Sequence, residues 1–358
     1  MFGFDFSKKT FMGIDVGSST LKIAELELKN DKPYLSNYAW MPILDATGNK
    51  SVSSKFFESI LPEYLKKIIK VAGFKGKNAC IAIPSFEGLI TLIDFPQMPK
   101  GDMDQAIKFE AQKYIPTSLD NVVINWQIVP EDLDQTPQAG SQKRIKVLLV
   151  AASKDKIIAY EKVAGAVGLK LEGIEIENLA MVNSLIGNDK GRFIIVDIGF
   201  RVCNIIYVEK GVIKANRNID AGGDDITDTI AKSMGISLGR AERLKTSDKN
   251  FMNIESNIHF SALDMIYQEV ARIISAVLGQ GKGGELDAII LSGGTAGMTG
   301  LKDFFQNKFN VKTIIGNPLS RVDYDKRLES VIGEVKDRFS VSIGLALMGI
   351  ETQLKKNK

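Results

Sequence analysis

Apolar runs at Phe11 to Asp15, Leu21 to Leu28 and Tyr34 to Trp40 are parted by Gly17-Ser18-Ser19 and by Lys29-Asn30-Asp31-Lys32-Pro33, which predicts three strands in an antiparallel meander. Helical spacing follows at Val52, Phe56, Phe57, Ile60, Leu61, Tyr64, Leu65, Ile68, Ile69 and Ala72, closed by Gly73, with Pro62 predicting a kink or a restart. Asn78 to Ile83 reads as a short buried strand ending at Pro84. The next block, 85–153, reads as an inserted β-α-β-β unit. It holds a strand from Gly88 to Phe95, a helix opening at Asp102, a strand from Val122 to Val129, an acidic loop from Glu131 to Gln142 and a strand from Ile145 to Ala152. In its helix Met103, Ile107, Ala111 and Tyr114 share one apolar face, with Asp102 as N-cap and an end before Pro116. The first unit resumes with a helix capped by Ser153 and stopped by Gly168, a strand from Lys170 to Glu175 and a helix from Glu177 to about Ile186.

From Arg192 the opening pattern returns. Phe193-Ile194-Ile195-Val196-Asp197-Ile198-Gly199 repeats Phe11-Met12-Gly13-Ile14-Asp15-Val16-Gly17 in its Phe, Asp and Gly, and two strand-like runs again follow, Cys203 to Val208 and Val212 to Arg217, with Lys210-Gly211 turning between them. A duplicated unit of three strands, helix, strand and helix is the reading. After it come a helical block from about Gly223 to Leu278, a strand from Leu286 to Leu291, the loop Ser292-Gly293-Gly294-Thr295, a helix from about Leu301 and an apolar helix near Ser340 to Ile350.

Composition narrows the chemistry. With 46 Lys and Arg against 43 Asp and Glu, a net charge of +3, the chain makes no bulk electrostatic demand for nucleic acid. The longest apolar stretches, Val147 to Ala152 and Ile343 to Ile350, fall short of the ~20 residues that cross a bilayer. Met1 to Lys9 lacks the apolar core of a signal peptide, so a cytoplasmic chain is expected. Cys80 and Cys203 are expected to be buried and unpaired, and the single histidine, His259, to be structural or on the surface; a Cys/His zinc cluster is excluded. Chemistry must then come from carboxylates, backbone amides, lysines and a bound ion.

Asp15-Val16-Gly17-Ser18-Ser19-Thr20-Leu21-Lys22 puts a carboxylate at a strand end, then a turn whose amides and hydroxyls can cradle phosphate, then a lysine that can reach back to it. Alone it would be an ordinary hairpin. Asp197-Ile198-Gly199 supplies a second copy, and two strand-end carboxylates facing across a cleft suit a hydrated Mg²⁺. Ala221-Gly222-Gly223-Asp224-Asp225 opens a helix whose N-terminus suits an anion, or is simply an Asp-rich cap. Glu242 and Lys245 share a helical face, where a surface ion pair is the plain alternative. Gly293, Gly294 and Met298 lie in a strand-to-helix loop where backbone can approach a flat ligand.

In this order the elements resemble the nucleotide-binding core of the actin, heat-shock chaperone and sugar kinase superfamily. The resemblance implies an α/β fold, an actin-like ATPase with two duplicated lobes around a nucleotide cleft. Asp15, Gly17, Ser18, Ser19, Thr20 and Lys22 would form the first phosphate loop, Asp197 and Gly199 the second, and Glu177-Asn178-Leu179-Ala180 the E-P-x-A element. Gly222, Gly223, Asp224, Glu242 and Lys245 would lie near phosphate and ribose, and Gly293, Gly294 and Met298 along the adenosine of ATP. Asp15 and Asp197 would hold Mg²⁺ through water, with Glu177 as the catalytic candidate that orients a water.

The gap from Met41 to Ser51 is too short for the extra subdomain of actin, whereas the insertion at 85–153 is placed as in FtsA and the PilM family of type IV pilus assembly. Phe95-Pro96-Gln97-Met98-Pro99, Ala106 to Pro116, Ile83-Pro84-Ser85 and Gly344-Leu345-Ala346 are similar to PilM sequences. The implied division is 1–84 with 154–190 as subdomain 1A, 85–153 as the FtsA-type inserted subdomain 1C, 191–222 with 284–358 as 2A, and 223–283 as 2B. The implied role is an ATP-binding scaffold of the pilus inner-membrane complex. It would bind the cytoplasmic N-terminal tail of PilN, couple it to the motor proteins, and lie at the inner face of the inner membrane through partners, without inserting itself. Phe200-Arg201-Val202 stand where the superfamily has glycines and a threonine, and Asn204 where a carboxylate is common, which predicts binding with slow hydrolysis at best. An FtsA-like filament former at the membrane and a small-molecule kinase are the alternatives, and self-association stays open.

Overall fold

The computed structural model describes residues 10–43, 59–129, 144–253, 257–278 and 285–356. The first lobe opens with β1 (Thr10–Val16), β2 (Thr20–Lys29) and β3 (Lys32–Pro42), the predicted meander, and continues through α1 (Leu61–Ala72) and β4 (Asn78–Ile83). The inserted unit follows as β5 (Gly88–Pro96), α2 (Lys100–Ala111), β6 (Val122–Ile128) and β7 (Arg144–Ser153). The first lobe then resumes with α3 (Lys154–Ala166), β8 (Lys170–Ile176) and α4 (Glu177–Leu185). The second lobe comprises β9 (Arg192–Ile198), β10 (Cys203–Glu209), β11 (Val212–Ile219), α5 (Gly223–Met234), α6 (Leu238–Lys245), α7 (Ser261–Leu278), β12 (Ala288–Ser292), α8 (Leu301–Phe309), β13 (Thr313–Ile315), α9 (Glu329–Val335) and α10 (Ser340–Lys356).

Duplication is visible in the sheets. Their orders are β3-β2-β1-β4-β8 and β11-β10-β9-β12-β13, and in each the first three strands are antiparallel and the last two run parallel to the central one. The inserted unit has its own sheet, β5-β7-β6, with a separate core of Ile93, Phe95, Met103, Ile107, Ala111, Ile145, Val147 and Leu149.

Period-two burial decides which helices cover which face. One face of the first sheet, with Met12, Ile14, Leu21 and Ile23, packs on α1 and α3. Its other face, with Phe11, Ala24 and Leu26, meets Ile343, Ala346, Leu347 and Ile350 of α10. The second sheet sends Ile195, Ile206, Val208 and Ile290 toward Ala180 and Met181 of α4, and Val196, Ile205 and Leu291 toward α5, α7 and α8. Helices α4 and α10 therefore lie between the sheets, each from one half of the chain, and bind the lobes together. Contact is close because Gly13 of β1 has no side chain: a Cβ there would sit 1.8 Å from the Ser342 carbonyl oxygen of α10.

Several expectations change in detail. Helix α1 starts at Leu61 with Pro62 in its first turn, where a missing N–H costs no helical bond, while Val52, Phe56 and Phe57 lie outside the described residues. Asp102 is in the first turn of α2 and Pro99 is its N-cap. Tyr114 is exposed, because the helix ends at Ala111 and Ile115 takes the next core position. The acidic loop at 131–142 falls outside the described residues. The short strand β13 and the helix α9 were not anticipated. Cys80 and Cys203 are buried and unpaired, and His259 is on the surface, its Nε2 3.0 Å from Asp264 Oδ2. Among the described residues no helix is long and apolar enough to cross a membrane.

Candidate functional site

The two lobes carry the same hairpin. In the first, Gly17 N donates to Thr20 O at 3.0 Å, and in the second Gly199 N donates to Val202 O at 3.1 Å. Strand register then pairs Asp15 with Lys22 and Asp197 with Asn204. Asp15 and Asp197 are thus equivalent, and Asn204 occupies the place of Lys22. At the first hairpin the ammonium is committed: Lys22 Nζ lies 2.8 Å from Asp15 Oδ2, and both side chains are largely covered. Burial works to lower the Lys22 pKa, but the charge and hydrogen bond of Asp15, with Asp197 and Glu177 behind it, outweigh burial and raise it.

Between the hairpins sits Glu177, the first residue of α4. Its Oε1 accepts from Ser85 N at 2.9 Å and from Asn204 Nδ2 at 3.0 Å. Loss of solvent pushes its pKa up to about 7, and the charges of Asp15 and Asp197 push the same way, while the Ser85 hydrogen bond opposes them. Asp197 is also raised, first by burial, against the opposing charge of Lys22 and hydrogen bonds from Ser292 and Asn204. Three carboxylates therefore share one ammonium at the floor between the lobes. Asn204, expected only as a departure from pattern, holds Glu177, and so does Ser85, whose sequence shows only a family likeness. No local signal could have joined them, since Ser85 and Glu177 are 92 residues apart.

The opposite wall comes from α5 and α6. Gly223 N donates to Gly199 O at 2.9 Å and Asp224 N to Phe200 O at 2.8 Å, while the Asp225 carboxylate accepts from Gly222 N at 2.9 Å. The first amides of α5 thus clamp the second hairpin, and Asp225 fills the capping role expected of an Asp-rich start. Lys245 is not the surface partner of the plain alternative. It is buried, and its Nζ reaches Gly223 O at 3.0 Å, Thr227 Oγ1 at 2.9 Å and Glu242 Oε2 at 2.7 Å, although Glu242 itself is half exposed.

Beyond Lys245 is a cavity of about 100 Å³ lined by Thr246, Gly294, Thr295, Gly297, Met298, Asp337 and Arg338, where the adenosine was expected. Gly293 lies behind it with φ 89°, its amide on the Asp337 carbonyl oxygen at 3.1 Å; a Cβ there would sit 2.5 Å from Ile198 O. Asp337 and Arg338 are lining residues that the sequence did not single out. Burial raises the Asp337 pKa, against the charge of Arg338.

The donor set fits a hydrated divalent ion better than a directly caged one. Among the described residues no three carboxylates, thiols or imidazoles converge tightly enough to grip a metal together. Asp15 and Asp197 nevertheless feel each other's charge beside Glu177, an excess of negative charge that Mg²⁺ with its own waters would relieve. A nucleoside pocket usually has about 300 Å³ or more, so the cavity beside Met298 must widen to take a base and ribose.

Comparisons place this architecture. A family model described as type IV pilus assembly protein PilM matches residues 13–350. The chain is 23% identical over 291 residues to the cell division protein FtsA of Neisseria meningitidis, covering 72% of this chain and 68% of that one. It is 21% identical over 343 residues to FtsA of Streptococcus pneumoniae, covering 84% and 74%. In structure it is similar to a PilM-PilN type IV pilus biogenesis complex, with TM-score 0.79, 23% identity and coverage of 95% and 98%. It is also similar to MreB 5 of Spiroplasma citri bound to AMPPNP, with TM-score 0.52, 14% identity and 98% of each chain covered. The fold is the actin-like ATPase fold, and with a family match over nearly its whole length the chain belongs to the PilM family of type IV pilus assembly proteins.

Proposed function

We propose that this chain is an ATP-binding scaffold of the type IV pilus inner-membrane complex. The observation that carries the nucleotide reading is the pair of equivalent hairpins, which set Asp15 with Lys22 and Asp197 with Asn204 around Glu177. When bound, Mg²⁺ would supply the positive charge that lets a polyphosphate approach these carboxylates. Asp15 and Asp197 would hold its water shell. Lys22, already on Asp15, would swing toward phosphate, and the amides and hydroxyls from Gly17 to Thr20 would cradle it. Gly293, Gly294 and Met298 would face the nucleoside.

Turnover is expected to be slow. Glu177 is the candidate to orient a water, but its carboxyl titrates near 7 and one oxygen is held by two donors. The half-exposed Phe200 at the second hairpin and the committed amides of Gly223 and Asp224 also leave few groups for the terminal phosphate. The partner reading rests on family membership and on likeness to a PilM-PilN complex: the cytoplasmic tail of a PilN would lie between the inserted unit and the first lobe, holding the chain at the membrane's inner face.

A calorimetric titration with Mg-ATP, with phosphate release followed in the same sample and Asp15→Ala as control, tests this. Binding lost in the variant, with turnover well below about 1 per second, is the expected result. Absence of binding would overturn the nucleotide reading, and rapid turnover would overturn the scaffold. A synthetic PilN tail peptide that fails to bind would overturn the partner assignment.

A further inference from the structure

Ser85, the first residue after β4 and Pro84, is where the chain leaves the first lobe for the inserted unit, and it touches both lobes. Its amide holds Glu177 of α4. Its hydroxyl lies 2.6 Å from Asn204 Oδ1 on β10 and 3.0 Å from Asn218 Oδ1 on β11. One hydroxyl proton serves only one oxygen, so the nearer Asn204 accepts it, and the Asn218 amide, turned over, donates back to the hydroxyl. Two residues before Asn218, on the same face of the strand, Asn216 Nδ2 donates to Ile90 O of β5 at 3.4 Å. Ile90 itself packs in the apolar cluster between the sheets, with Ile176, Ile206 and Val208. The way into the inserted unit is thus held at once by α4 from the first lobe and by β10 and β11 from the second.

This arrangement has a mechanical consequence. The inserted sheet has its own core, whereas its first strand is bonded across the cleft. If the lobes change their separation, Ser85 cannot keep Glu177 on one side and Asn204 with Asn218 on the other. It must break one set or swing, and β5 follows it.

We propose that the Ser85 junction, with Asn204, Asn216 and Asn218, is the joint through which occupancy of the cleft reaches the inserted unit. This rests on the nucleotide reading above, and it locates the coupling in four polar residues rather than in the packing between the sheets. Asn216 and Asn218 serve only the joint, since both lie on β11 and neither touches the carboxylate cluster.

The test is hydrogen exchange on the full chain, with and without saturating Mg-AMPPNP, in wild type, in the Asn216→Ala/Asn218→Ala double variant and in Ser85→Ala. Heats of nucleotide binding are measured separately. In wild type the ligand should change exchange of amides in β5, β6 and β7 by about fivefold or more, the lower end of ordinary coupling. In the double variant nucleotide affinity should stay within about threefold while that change falls below about twofold, because the ligand contacts survive and the joint does not. Ser85→Ala, which keeps the amide on Glu177 but loses the hydroxyl, should show the same loss. A bound wild type with no change in the inserted sheet, or variants that respond as wild type does, would overturn the joint. A wild type that gives no binding heat would instead overturn the nucleotide reading, and the joint with it.

Discussion

Replacing Glu177 by Gln tests the electrostatics of the cleft directly. The side chain keeps its shape, and an amide oxygen can still accept from Ser85 N and Asn204 Nδ2, so only the charge is removed. A carboxyl that titrates near 4.5 in the unfolded chain and near 7 in the folded one keeps its proton in the folded state over that interval. Folded protein then binds more protons than unfolded, so this group's contribution to stability is full below about pH 4.5 and is lost as pH rises through about 7. At roughly 1.4 kcal/mol per pH unit the full difference is about 3 kcal/mol, but Glu177 keeps a face toward the cleft, and water there reduces the working figure to about 2 kcal/mol. Urea unfolding of wild type and Glu177→Gln from pH 5 to 9, in EDTA and without nucleotide, measures it. The two should be close at pH 5, and the variant should become the more stable by about 2 kcal/mol by pH 8.5. A gap that does not change with pH, or a variant less stable at pH 8.5, would refute the reasoning.

Other perturbations follow from the same geometry. Lys22→Met leaves Asp15 buried without its ammonium and should lower unfolding stability by about 2–4 kcal/mol; a change under about 0.5 kcal/mol in the urea midpoint would contradict it. Gly293→Ala forces a side chain into φ 89° and against the Ile198 carbonyl, so a loss of about 2 kcal/mol or more is expected by thermal unfolding. Chelating Mg²⁺ with EDTA should reduce ATP binding at least tenfold by calorimetry, since three carboxylates and one lysine repel a polyphosphate on balance; unchanged affinity would show that the carboxylates do not face the phosphates. Lys245→Met should cost about 2–3 kcal/mol, because Gly223 O, Thr227 and Glu242 lose one shared buried cation, and full retention of the melting temperature would argue against that role.

The duplicated lobes were legible because the repeat is written in local pattern: a buried strand ending in Asp-x-Gly, twice, with a meander after each. The inserted unit was legible for the same reason, as apolar strands around an amphipathic helix. The errors lie where tertiary context decides. Tyr114 keeps helical spacing with Ala111, yet the helix has already ended and Ile115 replaces it in the core. Strand β13 has only three residues, Thr313–Ile315, and takes its pairing entirely from β12, so no period exists to read. Lys245 reads as a surface residue because a Glu and a Lys three apart on a helix are ordinarily a surface ion pair, whereas the acceptors that bury it, Gly223 O and Thr227, come from another helix.

The cleft shows why partial legibility was enough for the fold and too little for its chemistry. Asp15, Lys22 and Asp197 could be named because each sits at a repeated place on a strand, and the strand fixes which face it takes. Glu177 could be named but not understood: its pKa is raised first by burial and then by the charges of Asp15, 162 positions earlier by the numbering, and Asp197, against the hydrogen bond from Ser85, and these groups meet only after separate chain segments have packed. A local pattern specifies a carboxylate at a strand or helix end, but whether that carboxylate holds its proton near neutral pH is set first by how far the fold takes it out of water and then by the charges gathered around it. Here Glu177 is taken out of water beside Asp15 and Asp197, which raises it to about 7, so its proton is one that pH acts on directly and that Mg²⁺ and nucleotide, bound as proposed, would act on as well.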